Sequence, residues 1–288
     1  MRAVFRHELS GYFSGLTGYV FGAFLLLFCG IFTMIYNLQN LLVNFEYALG
    51  DMTLVFLIAV PILTMRVLAE ERRSKTDQLL YALPLSMTQV VVGKYLALIV
   101  TLLIPTAIMG LYPLLLSAYG ELNLVTSFNA LLGFFLLGAA LLSIGLFISS
   151  VTESQAVAAG VCFVVMLLNY FLNNLASYVT TKSMPSYFAF AVLLLVVVAI
   201  FWYMTKNKFA SLIACTVSQC GLLCWYLLDE GAFAGAFPKM IGELSLFERF
   251  YVFINGICDL TGVVYFVSVI VFFLYLTVQS MEKRRWSE

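Results

Sequence analysis

Eight nearly uncharged apolar stretches, each of membrane-crossing length, divide this 288-residue chain: roughly 17–38, 52–69, 89–118, 124–150, 156–178, 186–205, 209–228 and 262–281. A hydrocarbon core about 30 Å thick needs about 20 apolar residues at the α-helical rise. With 63% hydrophobic and only 10% charged residues, and a mean hydropathy of +1.02, a soluble fold of this size could not cover its apolar surface. The bilayer must be the solvent. The expected fold is an all-α polytopic membrane protein of about eight spans, a single transmembrane domain over 1–288. The third and fourth stretches exceed the ruler and should tilt or protrude. A short polar turn, Lys206-Asn207-Lys208, separates the pair within 186–228.

Arg2, Arg6 and Glu8 precede an apolar run too long for a signal-peptide core and without a small-residue cleavage site, so the first span is expected to remain. The six cysteines form no CxxC pairs and read as small packing residues. A net charge of zero gives no hint of nucleic-acid binding.

Orientation follows from lysine and arginine. With eight spans and the N-terminus inside, twelve of the fifteen basic residues fall on the inner side; only Lys182, Lys239 and Arg249 fall outside. Acidic residues split almost evenly. Both termini are therefore expected in the cytoplasm. Treating 186–228 as non-membrane keeps that orientation but moves Lys206 and Lys208 outside, so eight spans fit the charges better than six.

Between the spans, four segments stand out. Residues 1–13 place Phe5, Leu9, Tyr12 and Phe13 on one helical face, as in a helix lying in the inner headgroup region. The lone His7 there suits a headgroup contact better than a metal. Gly11, Gly15, Gly18 and Gly22, and farther on Gly138 and Gly145, are spaced for close helix packing. The charged segment Glu70–Pro84 holds Ser74 with Asp77 three residues on, which places a helix start at Ser74; Pro84 ends that helix, and Leu79, Leu80 and Leu83 give it an apolar face. Ser86 with Gln89 starts the third span in the same manner. The stretch 229–261 is rich in aromatics, and Ser245 with Glu248 opens a helical pattern through Ile254. It fits an interfacial helix on the outer side, or one that dips in and returns.

Several chemistries are missing. The chain holds no phosphate-cradling GxxxxGK[ST] loop, no HExxH and no GxSxG. Proton-coupled carriers keep a carboxylate deep in a span, whereas Glu46, Asp51, Glu121 and Asp229 fall in outer loops or at span ends. Arg66, near the inner end of span two, can snorkel to the headgroups. Asn169, Asn173 and Asn174 in span five suit hydrogen bonds between helices, or the lining of a polar path. An oily body with a charged inner handle and no energy source of its own suggests that a partner supplies the energy.

The run Leu63-Thr64-Met65-Arg66, Ala69-Glu70-Glu71-Arg72, Ser74, Thr76, Leu79-Leu80, Leu83-Pro84-Leu85 and Gly93-Lys94 resembles the first cytoplasmic loop of type-2 ABC exporter permeases, and more narrowly the gliding-motility permease subfamily. Glu8-Leu9, Tyr12-Phe13 and Gly18-Tyr19-Val20 resemble that subfamily's start; Leu244-Ser245-Leu246-Phe247, Gly256, Asp259-Leu260, Val264-Tyr265-Phe266 and Arg284-Arg285-Trp286 resemble its end. The resemblance covers about half of the chain. It implies a multi-pass subunit of the bacterial inner membrane, paired with a second permease copy or a related permease and with two cytosolic ABC ATPase subunits. ATP and Mg would sit on those ATPases, with no cofactor in this chain. The implied ATPase-coupling residues are Glu71, Arg72, Lys75, Thr76, Leu79 and Leu80, with Pro84 ending the coupling helix, and Glu153 in the loop between spans four and five as a lesser contact. The family's usual core has six spans, so 186–228 would be an extra helix pair. A membrane scaffold that recruits a soluble partner through the same helix is the alternative, and a proton-coupled carrier a third.

Overall fold

The computed structural model describes residues 1–42, 44–76, 85–178, 183–205, 208–228, 230–257 and 259–285. Among them the apolar stretches are helices and no strand occurs. The helices are α1 (Arg2–Ser14), α2 (Thr17–Thr33, extended by a π-helical turn Met34–Gln39), α3 (Phe45–Thr64), α4 (Ala69–Arg73), α5 (Met87–Met109), α6 (Leu111–Leu116), α7 (Leu124–Val151), α8 (Gln155–Tyr178), α9 (Ser183–Thr205), α10 (Lys208–Leu228), α11 (Ala236–Glu243), α12 (Leu246–Ile254) and α13 (Leu260–Arg285). Among the described residues, six segments are long and apolar enough to cross a membrane: Thr17–Gln39, Phe45–Arg73, Met87–Leu116, Leu124–Val151, Gln155–Leu172 and Leu260–Arg285. The shorter apolar stretches Ser183–Leu195 and Cys215–Leu228 lie in α9 and α10, where the extra pair is expected. The chain is an all-α polytopic membrane protein.

The chain divides into two compact units, residues 1–168 with 249–288, and residues 169–248. In the first, α7 is the central element, contacting α13, α3 and α5. Inside a bilayer the lipid is as apolar as leucine, so helices associate through close packing instead of hydrophobic drive. The most apolar windows of α3 and α7 are each 72% buried, against 17% for α13. Two α7 glycines make the approach possible. A Cβ on Gly138 would lie 2.9 Å from Phe56 Cζ, and one on Gly145 would lie 2.8 Å from Thr64 Cγ2. The expected packing role of this pair is what the structure shows. In the N-terminal glycine run the role is confined to the bend between α1 and α2: a Cβ on Gly18 would meet the Tyr12 carbonyl at 2.9 Å, whereas Gly11 and Gly22 face open space.

The aromatic segment 246–254 folds as expected, with Ser245 Oγ accepting from the Glu248 amide at 3.2 Å. In the first unit it presents one buried face, with Tyr251 exposed on the other. Phe250 and Phe253 are fully buried, and Phe253 lies so near Gly133 that a Cβ there would meet it at 2.7 Å. Asp259 then caps α13, its carboxylate accepting from the Thr261 and Gly262 amides at 2.9 and 3.2 Å.

In the second unit, α9 and α10 pack together, with Gln219 Nε2 donating to the Ala191 carbonyl at 3.0 Å. Phe233 is the hub there, its ring against those of Tyr187, Phe190, Trp225 and Tyr226. Edge-to-face pairs of this kind contribute about 0.5–1.5 kcal/mol each beyond burial.

Two outcomes follow. Gly145→Val forces α3 from α7, and the melting temperature of the detergent-purified protein should fall, by the equivalent of about 1–3 kcal/mol. Asp259→Ala should also lower it at pH 7. The bonds from Thr261 hold the Asp259 carboxyl below its usual range. Its stabilisation is therefore present above the unfolded-state pKa and lost as pH falls through the depressed folded value, so thermal scans of wild type and variant should converge on acidification.

Candidate functional site

The functional candidates gather where α3 ends and the charged segment begins. After Thr64 the chain makes one turn, restarts as the short helix α4, and stops again. The restart is held from α7. The hydroxyl of Ser149, fully buried, accepts from both the Leu68 and Ala69 amides at 3.1 Å. These are first-turn amides that have no partner within their own helix.

The stop corrects one expectation. Ser74 closes a helix and does not start one. Its Oγ donates backward to the Glu70 and Glu71 carbonyls at 2.9 and 3.2 Å. Lys75 takes a left-handed conformation, φ +56°. Its amide donates to the Arg72 carbonyl at 3.1 Å, and the Thr76 amide to that of Glu71 at 2.9 Å. These two bonds form a Schellman motif, which outcompetes the capping box that the Ser74–Asp77 spacing suggests. Its left-handed position usually carries glycine; here it carries Lys75.

Beneath α4 lies a cluster that sequence reading passed over. Lys94, in the second turn of α5, is only 1% exposed. Its Nζ donates to Glu8 Oε1 of α1 at 2.6 Å, to Glu71 Oε1 of α4 at 2.7 Å and to the Val67 carbonyl at 3.2 Å. All three ammonium protons are thereby satisfied. A buried ammonium is tolerated only when paired and hydrogen-bonded, and this one is both. Three segments far apart in sequence, α1, α4 and α5, are fastened at one atom. The neighbouring Tyr12 phenol registers the same surroundings: burial, then the Glu8 and Glu71 carboxylates, push its pKa upward.

The implied coupling residues are distributed as follows. Glu71 faces inward to Lys94, and Arg72 is buried. Lys75 and Thr76 are exposed. Leu79, Leu80 and Pro84 lie outside the described residues. Glu153 is exposed and pairs with Arg284 of α13 at 3.3 Å, a surface contact of small energetic weight. Of the amides in α8, Asn169 bridges to the start of α12 within the second unit. Its Nδ2 donates to the Leu244 carbonyl at 3.3 Å and its Oδ1 accepts from the Leu246 amide at 3.0 Å. Asn174 is exposed, and the Asn173 side chain lies outside what is described. Glu46, read as a span-end carboxylate, sits in the first turn of α3 yet is buried, accepting from Ser127 Oγ at 2.7 Å. Hydropathy alone carries no sign of that burial. No group of acidic, histidine and cysteine side chains able to hold a metal occurs among the described residues.

A sequence model described as ABC-2 family transporter protein matches residues 34–222, well over half of the chain. The chain belongs to that family. It is thus a membrane permease of an ABC transporter, a component that works with ABC ATPase partners and carries no ATPase of its own. No curated protein matches. The match takes in α4, α5 and the loop between them, while Glu8 of the Lys94 cluster precedes it.

Removing only the ammonium leaves the Glu8 and Glu71 carboxylates facing each other, partly buried, without the cation that pairs them. Lys94→Ala should therefore destabilise this permease by about 3–5 kcal/mol. Neutralising the whole cluster, Lys94→Met with Glu8→Gln and Glu71→Gln, should recover most of that loss. Thermal unfolding in detergent separates the two variants.

Proposed function

We propose that this chain is the permease subunit of an ATP-driven exporter of the bacterial inner membrane, with both termini in the cytoplasm and the segment 70–84 serving as the surface that a cytosolic ABC ATPase grips. The observation that carries this reading is the Lys94 cluster, in a chain whose family works with such ATPases. A segment meant only to link two spans has no need of a buried ion-pair network beneath it. A segment meant to transmit force does, because displacing Glu71 must carry Lys94 and α5 with it, and α1 through Glu8, or break a short charge-assisted bond. Ser149 ties the same segment to α7.

The gripped surface is then the part beyond the Schellman stop: Lys75 and Thr76 at its start, followed by Leu79 and Leu80, with Pro84 as its end. Charged groups at the rim and leucines in a groove form a common division of labour at protein interfaces. The inner placement is supported by the excess of lysine and arginine on that side, and the exporter direction by the resemblance of 63–94 to exporter loops. Closure of two ATPases around nucleotide would shift the permease between inward- and outward-open states. The substrate path would lie between two permeases, with Asn169, Asn173 and Asn174 as its polar candidates.

The test is co-purification from native membranes. Tagged wild-type protein should bring down an ATPase subunit whose hydrolysis rises with substrate in reconstituted vesicles. Leu79→Asp with Leu80→Asp should abolish the association while the membrane part still inserts. Association retained in that double variant would remove the segment from the interface, and a partner without ATPase activity would favour a recruiting scaffold.

A further inference from the structure

Two cavities meet at Arg66, and their chemistries are opposite. The first is a crevice of about 270 Å³ along α2 and α3, lined by apolar side chains including Val20, Phe24 and Ile62. The second, also about 270 Å³, is walled by His7, Glu8, Tyr12, Glu70 and Glu71. Thr17, Leu63 and Arg66 line both. Arg66 is exposed and makes no ion pair among the described residues, and neither does Glu70 one helical turn beyond it.

We propose that this double cavity is a binding site for one phospholipid of zwitterionic, primary-amine headgroup, the phosphatidylethanolamine class. The proposal concerns the membrane body alone and does not rest on the exporter reading.

The fit is in the order of the chemistry along the site. The apolar crevice runs from Leu16 to Phe24, about 12 Å along the α2 axis at 1.5 Å per residue. That is most of the roughly 15 Å depth of one leaflet's hydrocarbon. An acyl chain laid along it brings the glycerol and phosphate to the junction, where the planar guanidinium of Arg66 offers paired donors to phosphate oxygens. Beyond the phosphate the wall turns acidic. Glu8 and Glu71 share Lys94, and Glu70 adds an exposed carboxylate to the same wall. A free anion such as phosphate would meet that acidic wall, and so would a phosphatidylglycerol headgroup with nothing to offer it. An ammonium on a short tether meets it favourably. A primary ammonium can also donate hydrogen bonds to the carboxylates, which a quaternary choline cannot.

The experiment is native mass spectrometry of the delipidated, detergent-solubilised full chain, titrated separately with dioleoyl phosphatidylethanolamine, phosphatidylcholine and phosphatidylglycerol. One phosphatidylethanolamine should bind in preference to the other two. Arg66→Ala should weaken it about tenfold, the loss of one charge-assisted hydrogen bond. Ile62→Trp, which fills the crevice and leaves the headgroup side intact, should weaken it as much. Glu70→Gln should narrow the preference over phosphatidylcholine while a phospholipid still binds. Arg66 and Glu70 are exposed and Ile62 faces outward at 49% exposure, so these variants should fold, which unchanged thermal unfolding will verify. Equal binding of the three lipids, or wild-type binding by both Arg66→Ala and Ile62→Trp, overturns the proposal. So does efficient disulfide cross-linking of Val20→Cys between two copies in native membranes, because the crevice would then belong to a second copy.

Discussion

A lysine ammonium buried at the end of a membrane-length helix is stable only where the chain delivers counter-charge to it, and Lys94 draws that charge from two directions at once. Glu8 arrives from the N-terminal helix and Glu71 from the segment after α3. Neither carboxylate could be lost without leaving the ammonium underpaired, so the positions of α1, α4 and α5 at this end are mutually dependent. Buried pairs of this kind are weak contributors to net stability, because desolvation offsets their attraction. Their effect is on uniqueness: they exclude arrangements in which any one of the three segments sits elsewhere.

The same end of the bundle is secured by a different interaction on its other flank. Ser149 supplies from α7 the acceptor that α4's first amides need, and α7 is itself seated against α3 through Gly138 and Gly145. One of these contacts is electrostatic, one a neutral hydrogen bond and one close packing. Between them, they tie α4 to α5 and α7, and α7 to α3. A displacement imposed there must be shared by those helices, since a packed core has discrete arrangements and does not yield gradually. In the proposed exporter this is the property that lets a push on the surface segment reach the spans.

Much of this was legible in the chain itself. Hydrophobic length placed the six long spans and the helices of 186–228, and side-chain caps placed the starts of α5 and α12, where Ser86 and Ser245 accept as their spacing implies. Both are contiguous in sequence, the spans as runs of about twenty residues and the caps within four. The helix end at Ser74 was misread because two local motifs compete for that serine, and the winner depends on a left-handed Lys75 that sequence disfavours. Lys94, Ser149 and Glu46 were missed for another reason. Lys94 and Glu8 are 86 positions apart, and Ser149 lies 81 from Leu68. Nothing in the spacing of either residue marks its partner. A lysine one turn inside a span usually snorkels outward. Here it turns inward because two carboxylates are waiting.

Arg66 shows the converse. It shares this end of the bundle with Lys94, and each is a single positive charge near the headgroup level, yet the two occupy opposite electrostatic situations. Lys94 is enclosed and saturated; Arg66 is exposed, between an oily crevice and an acidic wall. The difference lies in helix geometry: Lys94 projects from α5 toward α1 and α4, whereas Arg66 stands exposed on the turn that separates α3 from α4. A saturated charge holds protein segments together, and an unsaturated one at the lipid boundary has only headgroups to engage. The two cations therefore divide the work at this end, one fixing the protein to itself and the other facing the bilayer.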